Sequence, residues 1–322
     1  MIRSIFFISR IIFITVFLAA KSAVPAGAQN AERFFEDGNK YLAQKKYKDA
    51  VNSFSKAINE NDHTAAYYLK RGIAHTYMKE TQKSYNDLTS AIKYDYTLGE
   101  AYYFRALILA ASSMHQDAVN DCDMLIKYPP GDSLLYMGYL LRGENRQYIR
   151  NYKGAFDDCL KYYQHDTSSV PALTSLALAK NDMNQPDSAL GYLYKILAMH
   201  PTDSSALMNV GFINISLERW DTAYKYLEKA TKTNPKEPYG FSNLSFVKMK
   251  KGDNKGAMRD VNYSLSLNAD NSWAYRNRAL IYMASGDTAK ACDDLKTAIH
   301  KGYTDRYGNE VSDLIYKHCE KK

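Results

Sequence analysis

Along most of the chain, apolar residues recur at steps of three and four, which predicts amphipathic helices and no strands. Breaks such as Gly252-Asp253 and Gly286-Asp287 are spaced for helix hairpins. The pattern returns every 34 residues once Ala31 is set as position 1 and a three-residue insertion is allowed at Ser133 to Leu135. Position 8 then reads Gly38, Gly72, Ala106, Gly143, Ala177, Gly211, Ser245 and Ala279. Position 20 reads Ala50, Ser84, Ala118, Ala155, Ala189, Ala223, Ala257 and Ala291. Position 4 is large from Phe34 through Tyr275, and position 24 is Phe, Leu, Cys or Val from Phe54 through Leu295. Closely crossing helices need small residues where their backbones meet and large ones alongside. Positions 4, 8 and 11 mark one face and 20, 24 and 27 another, so each period predicts two packed helices.

The first 28 residues break this pattern. Arg3 and Arg10 precede the apolar run Ile11 to Ala20, and Lys21 and small residues follow, ending in Ala26-Gly27-Ala28. That order predicts a cleaved signal peptide over residues 1–28, a mature terminus at Gln29 and an exported protein, periplasmic or secreted. The run is too short for an anchor, and no later stretch approaches 18 apolar residues, so no membrane span is expected after cleavage. Loss of Arg3, Arg10 and Lys21 leaves 39 basic against 35 acidic residues, +4 instead of +7. A balance that mild predicts no nucleic-acid partner and no anionic membrane.

A large residue at position 4, small ones at 8 and 20, a large one at 24 and, in three repeats, a proline at position 32 (Pro130, Pro201, Pro235) resemble the tetratricopeptide repeat. The resemblance divides residues 29–305 into eight repeats, 31–64, 65–98, 99–132, 136–169, 170–203, 204–237, 238–271 and 272–305. It implies an all-α, right-handed superhelical solenoid whose first helices line a concave groove. Residues 306–322, with Val311, Leu314, Ile315 and Cys319 at helical spacing, are expected to form a capping helix. The five repeats that lack the proline must end their second helix by other means.

Position 7 is Arg in Arg71, Arg105, Arg142 and Arg278, and position 23 of the same repeats is Asp87, Asp121, Asp158 and Asp294. Where position 7 is Leu176 or Val210, position 23 is Tyr192 or Tyr226; Asp260 opposite Leu244 is the exception. Joint switching predicts contact across each hairpin, because a charge buried there needs a partner. The other reading is an anion-binding ladder of arginines.

No motif points to catalysis: GxSxG, GxGxxG and P-loop signatures are absent, and the seven His residues stand singly. A non-enzymatic chain with no cofactor and no metal is expected, although Cys292, His300, His318 and Cys319 make one sparse zinc cluster. Cys292 at position 21 and Cys319 at position 14 of the cap are placed to meet as a disulfide, whereas Cys122 and Cys159, both at position 24, are read as buried thiols.

Recognition is left to the first helices. In repeats of this type that clamp a chaperone-tail carboxylate, Lys and Asn recur at fixed groove positions; only Asn39 fits, with Phe35, Lys70, Glu100 and Phe104 at the others. Position 6 instead becomes Asn209, Asn243 and Asn277 in the last three repeats, flanked by Phe212, Tyr239, Phe246, Met249, Trp273 and Met283. Such an amide ladder resembles peptide-binding members of the family, and implies a protein or extended-peptide partner. Three alternatives stand beside it. The Asn residues are repeat consensus and the aromatics pack on neighbouring helices; or the Tyr-rich convex surface joins a cell-envelope complex; or the aromatics bind a glycan.

Overall fold

A computed structural model describes residues 26–320. The predicted export signal therefore lies, apart from its last three residues, outside the described part. Among the described residues sixteen long helices pair into eight hairpins, and no strand occurs. The chain divides into two compact units, the first ending at Tyr96 and the second starting at Thr97.

The first unit holds α1 (Ala26–Ala43) against α2 (Tyr47–Glu60) and α3 (Ala65–Tyr77) against α4 (Thr81–Tyr94). The second pairs α5 (Gly99–Ala111) with α6 (His115–Lys127), α7 (Asp132–Tyr148) with α8 (Tyr152–His165), and α9 (Val170–Asp182) with α10 (Pro186–Met199). It continues with α11 (Ser204–Ser216) and α12 (Trp220–Thr233), α13 (Pro238–Lys250) and α14 (Asn254–Leu267), and α15 (Ser272–Ala284) and α16 (Thr288–His300). Within each unit every second helix also packs on the first helix of the next hairpin.

Position 8 is small because position 24 lies directly over it. A Cβ on Gly211 would stand 2.4 Å from Leu227, and one on Gly143 would stand 2.5 Å from the Cys159 sulfur. Leu193, Leu227 and Leu295, all at position 24, are accordingly buried.

All eight hairpins turn in the same way. Position 15 is left-handed in each, at Lys45, Lys79, Ser113, Arg150, Asn184, Glu218, Gly252 and Gly286, with φ from 53° to 86°. The amide of position 16 then donates to the carbonyl of position 11, as from Arg219 to Asn214 at 2.9 Å. This is the Schellman closure, which satisfies a helix-end carbonyl. Only two of the eight turns use glycine, so six side chains carry the left-handed penalty.

In three of the five repeats without the proline an Asx turn ends the second helix. Asn61, Asp166 and Asn268 at position 31 each accept from the amide two residues on, at 3.2, 3.0 and 2.9 Å, and stop their helices. The insertion at Ser133 to Leu135 is absorbed as an extra turn, making α7 17 residues long where α5 and α9 have 13.

The cap differs from the single helix expected over 306–322. A short α17 (Tyr303–Tyr307) is followed by Gly308, then α18 (Glu310–Ile315) and a π-helical turn (Tyr316–Glu320). Gly308 sits at φ 86° and ψ −164°, a region open only to glycine, so the helix breaks there. Tyr303, Val311 and Ile315 are buried on Ala291, Leu295 and Ala298, covering the apolar end of the last hairpin.

Candidate functional site

The arginine-aspartate pairs form in all four repeats. Arg71, Arg105, Arg142 and Arg278 each direct Nε and Nη2 onto both carboxylate oxygens of Asp87, Asp121, Asp158 and Asp294, at 2.7 to 2.8 Å. This planar fork is geometry that lysine lacks. Each guanidinium also lies 5.4 to 5.7 Å from the ring of the Tyr three residues earlier: Tyr68, Tyr102, Tyr139 and Tyr275. Tyr at position 4 occurs in these four repeats and no others, a signal present in the sequence that pairing positions 7 and 23 alone overlooks.

The remaining nitrogen reaches backwards. Nη1 of Arg71, Arg142 and Arg278 donates to position 25 of the preceding repeat: Ser55 at 3.1 Å, Asp123 at 2.5 Å and Asn262 at 2.9 Å. One arginine thus ties two second helices together. With every fork engaged, the anion-ladder reading fails. The exception is resolved as well, because Asp260 meets Lys248 from position 11 at 2.6 Å.

The asparagine ladder does not survive as a unit. Asn277 is fully buried, its Nδ2 donating to the Ser242 carbonyl at 2.8 Å while its Oδ1 accepts from Arg276 at 2.9 Å. Its amide joins two first helices and is spent. Asn243 is also buried, leaving Asn209 half-exposed.

The flanking apolar residues divide likewise. Phe246 is 8% exposed, under the Arg276 guanidinium at 4.8 Å and edge-on to Trp220 at 6.2 Å. Trp273 is stacked on Tyr303 at 5.7 Å, and Arg276 lies 5.0 Å from its ring while forming an ion pair with Glu310 of the cap. Met249 packs with Ala257, Val261 and Ile281, and Met283 packs on the cap. Tyr239 is half-buried, its amide donating to Glu237. For these residues the packing alternative holds, since adjacent helices supply the partners that single-repeat spacing cannot show.

Phe212 behaves differently. It is 42% exposed, beside Leu178 at 39%, its counterpart at position 9 of the preceding repeat. With Asn181 and Asn209 they border a depression floored by Ala177, Leu193 and Ile213 and enclosing only about 10 Å³. That is far below the few hundred Å³ of a small-molecule pocket. Leu178 and Asn181, at positions 9 and 12 of repeat 5, fall outside the sequence expectation because it was confined to the last three repeats, although position 9 of repeat 5 is apolar as well.

Cys292 and Cys319 are joined by a disulfide with Cα atoms 5.8 Å apart, tying the final turn to α16. Cys122 and Cys159 are free and buried, and burial pushes the Cys159 thiol up to about 12, where it is unreactive. Among the described residues no cluster of metal-ligating side chains forms.

The 34-residue hairpins, their Schellman turns and their crossings of a small residue at position 8 under a large one at position 24 define a helix-hairpin repeat protein. No protein-family model matches the chain. Small glutamine-rich tetratricopeptide repeat-containing protein 2 of Mycosarcoma maydis is 28% identical over 108 residues, 34% of this chain and 31% of that protein. Serine/threonine-protein phosphatase 5 of Homo sapiens is 30% identical over 145 residues, 45% of this chain and 28% of that one. The chain thus spans less than a third of the length of these relatives. The crystal structure of the APC/C hetero-tetramer Cut9-Hcn1 superposes on 78% of this chain and 46% of its own at a TM-score of 0.56 and 14% identity, a likeness of fold. The chain is a tetratricopeptide-repeat protein.

Proposed function

We propose that the chain is an exported, non-enzymatic scaffold that holds a protein or extended peptide against the first-helix face of repeats 5 and 6, the concave side in this family. The observation that carries this reading is the exposure of Leu178 and Phe212 beside Asn181 and Asn209. Neither apolar side chain is needed to close its hairpin, and the neighbouring amides can both donate to and accept from a peptide backbone. Apolar anchors rimmed by polar groups are how polypeptide interfaces concentrate their affinity. The Arg3-to-Ala28 pattern supports export, and the Cys292–Cys319 bond fits an oxidising compartment.

The test is capture of the native partner from the envelope fraction by three versions of the chain: unaltered, Leu178→Ser with Phe212→Ser, and Tyr148→Ala with Tyr194→Ala and Tyr263→Ala. Loss of about 1.5 kcal/mol per apolar side chain weakens the first variant more than a hundredfold. Retention by that variant, or loss only in the tyrosine variant, overturns the reading. Mass measurement of the native chain in the same fraction should give a terminus at Gln29, and an intact Met1 refutes export.

A further inference from the structure

Position 11 is basic in four repeats, at His75, Arg146, Lys180 and Lys248. Three of these face the aspartate at position 23 of their own hairpin: His75 Nε2 lies 3.8 Å from Asp87, Arg146 lies 2.6 Å from Asp158, and Lys248 lies 2.6 Å from Asp260. The fourth has no such partner. In repeat 5 the aspartate is replaced by Tyr192 while the cation stays.

Lys180 instead lies 4.2 Å from the Phe156 ring and donates to Gln185 at 2.9 Å. A second lysine joins it from α10. Lys195 sits 5.3 Å and 5.5 Å from the rings of Tyr163 and Tyr192, with the Tyr163 hydroxyl at 3.3 Å. Neither ammonium meets a carboxylate among the described residues, and Asp187 on the same helix is bound to Arg219 at 3.0 Å.

Both lysines line an open cleft of about 340 Å³ together with Phe156, Ser188, Gly191 and Tyr192. Gly191 is mid-helix, where glycine is the poorest former after proline, yet a Cβ placed there meets nothing within 4 Å. Packing therefore does not require it. What its missing side chain does is keep one wall of the cleft low.

We propose that this cleft binds an oxyanion supplied by an acidic side chain of a partner polypeptide. The partner's carboxylate takes the place that Asp158 and Asp260 fill in repeats 4 and 7, and the aromatic walls receive its methylene stem. The cleft is open, which admits a side chain still attached to its own backbone. The cleft shares no residue with the Leu178–Phe212 depression: apart from Lys180 of α9, its lining lies on the second helices α8 and α10.

The experiment is titration of the purified full chain at low salt with a blocked hexaglutamate peptide and, separately, with inorganic phosphate at matched ionic strength. The peptide is expected to bind saturably and phosphate not to. Lys180→Gln with Lys195→Gln should weaken the peptide at least tenfold. Gly191→Leu should weaken it as much while leaving net charge unaltered and helix content equal or higher, which separates a shaped site from general attraction to a basic surface. Peptide affinity unchanged in Gly191→Leu, no saturable binding to the native chain, or saturable binding of phosphate alone would each overturn the proposal.

Discussion

Replacing Arg278 by Leu tests whether the forked pairs hold the hairpins together. The guanidinium gives two bonds of 2.7 and 2.8 Å to Asp294 and one of 2.9 Å to Asn262 of the preceding repeat. Asp294 has a side chain only 9% exposed, so removing its partner strands a carboxylate that water scarcely reaches. Breaking a buried pair costs about 3 to 5 kcal/mol. Arg278 itself is 22% exposed, which admits some solvent and places the expected loss near the lower figure, about 3 kcal/mol. Adding Asp294→Tyr recreates the apolar-with-tyrosine arrangement of Leu176 with Tyr192 and Val210 with Tyr226, and should recover about 2 kcal/mol. Urea unfolding followed by circular dichroism should be fitted as a linear array of repeats, because such stacks do not unfold in one step. Amide exchange across α15 and α16 localises the effect. Equal losses in the single and double variants, or a single-variant loss below about 1 kcal/mol, would refute the argument.

Two further outcomes follow from the backbone and from burial. Lys79 is left-handed at φ 60°, so Lys79→Gly should stabilise by about 1 kcal/mol while Lys79→Ala should not, as read from urea midpoints. Burial raises the Glu144 carboxyl above its ordinary range, so its contribution to stability is present at acid pH and is lost as pH rises through its raised value. Glu144→Gln should therefore be more stable than the native chain at pH 7, the gap closing below about pH 4; a gap independent of pH would exclude this cause.

The hairpins were legible because their determinants recur at fixed spacing. The small residue at position 8 and the large one at position 24 meet within one period, as Gly211 under Leu227 shows. The arginine pairs were legible for the same reason, being 16 residues apart within one hairpin. What lies between periods was not. Asn277 reads as a free amide until Ser242 of the preceding first helix is placed against it, and Phe246 reads as a ligand anchor until Arg276 covers it. Lys248 rescues Asp260 from position 11, where neither position 7 nor 23 announces it. The break at Gly308 was hidden because the apolar spacing of Val311, Leu314 and Ile315 continues past it, and only the backbone dihedrals report the interruption.

The backward reach of the arginines makes the second unit unevenly stiff. A fork bonded to two helices fixes their distance and angle, whereas apolar contacts tolerate small sliding at little cost. Repeats 5, 6 and 7 carry Leu176, Val210 and Leu244 where the fork would stand. Between repeats 5 and 6 and between 6 and 7 the charged ties are single exposed pairs, Arg219 with Asp187 and Lys251 with Asp221, which hold far less than a buried fork. Strain applied to the stack therefore gathers in that stretch, as in a spring whose end coils are soldered and whose middle coils are only tacked. Leu178 and Phe212 lie within the compliant coils, so a guest held as proposed would bend the part of the molecule that resists least.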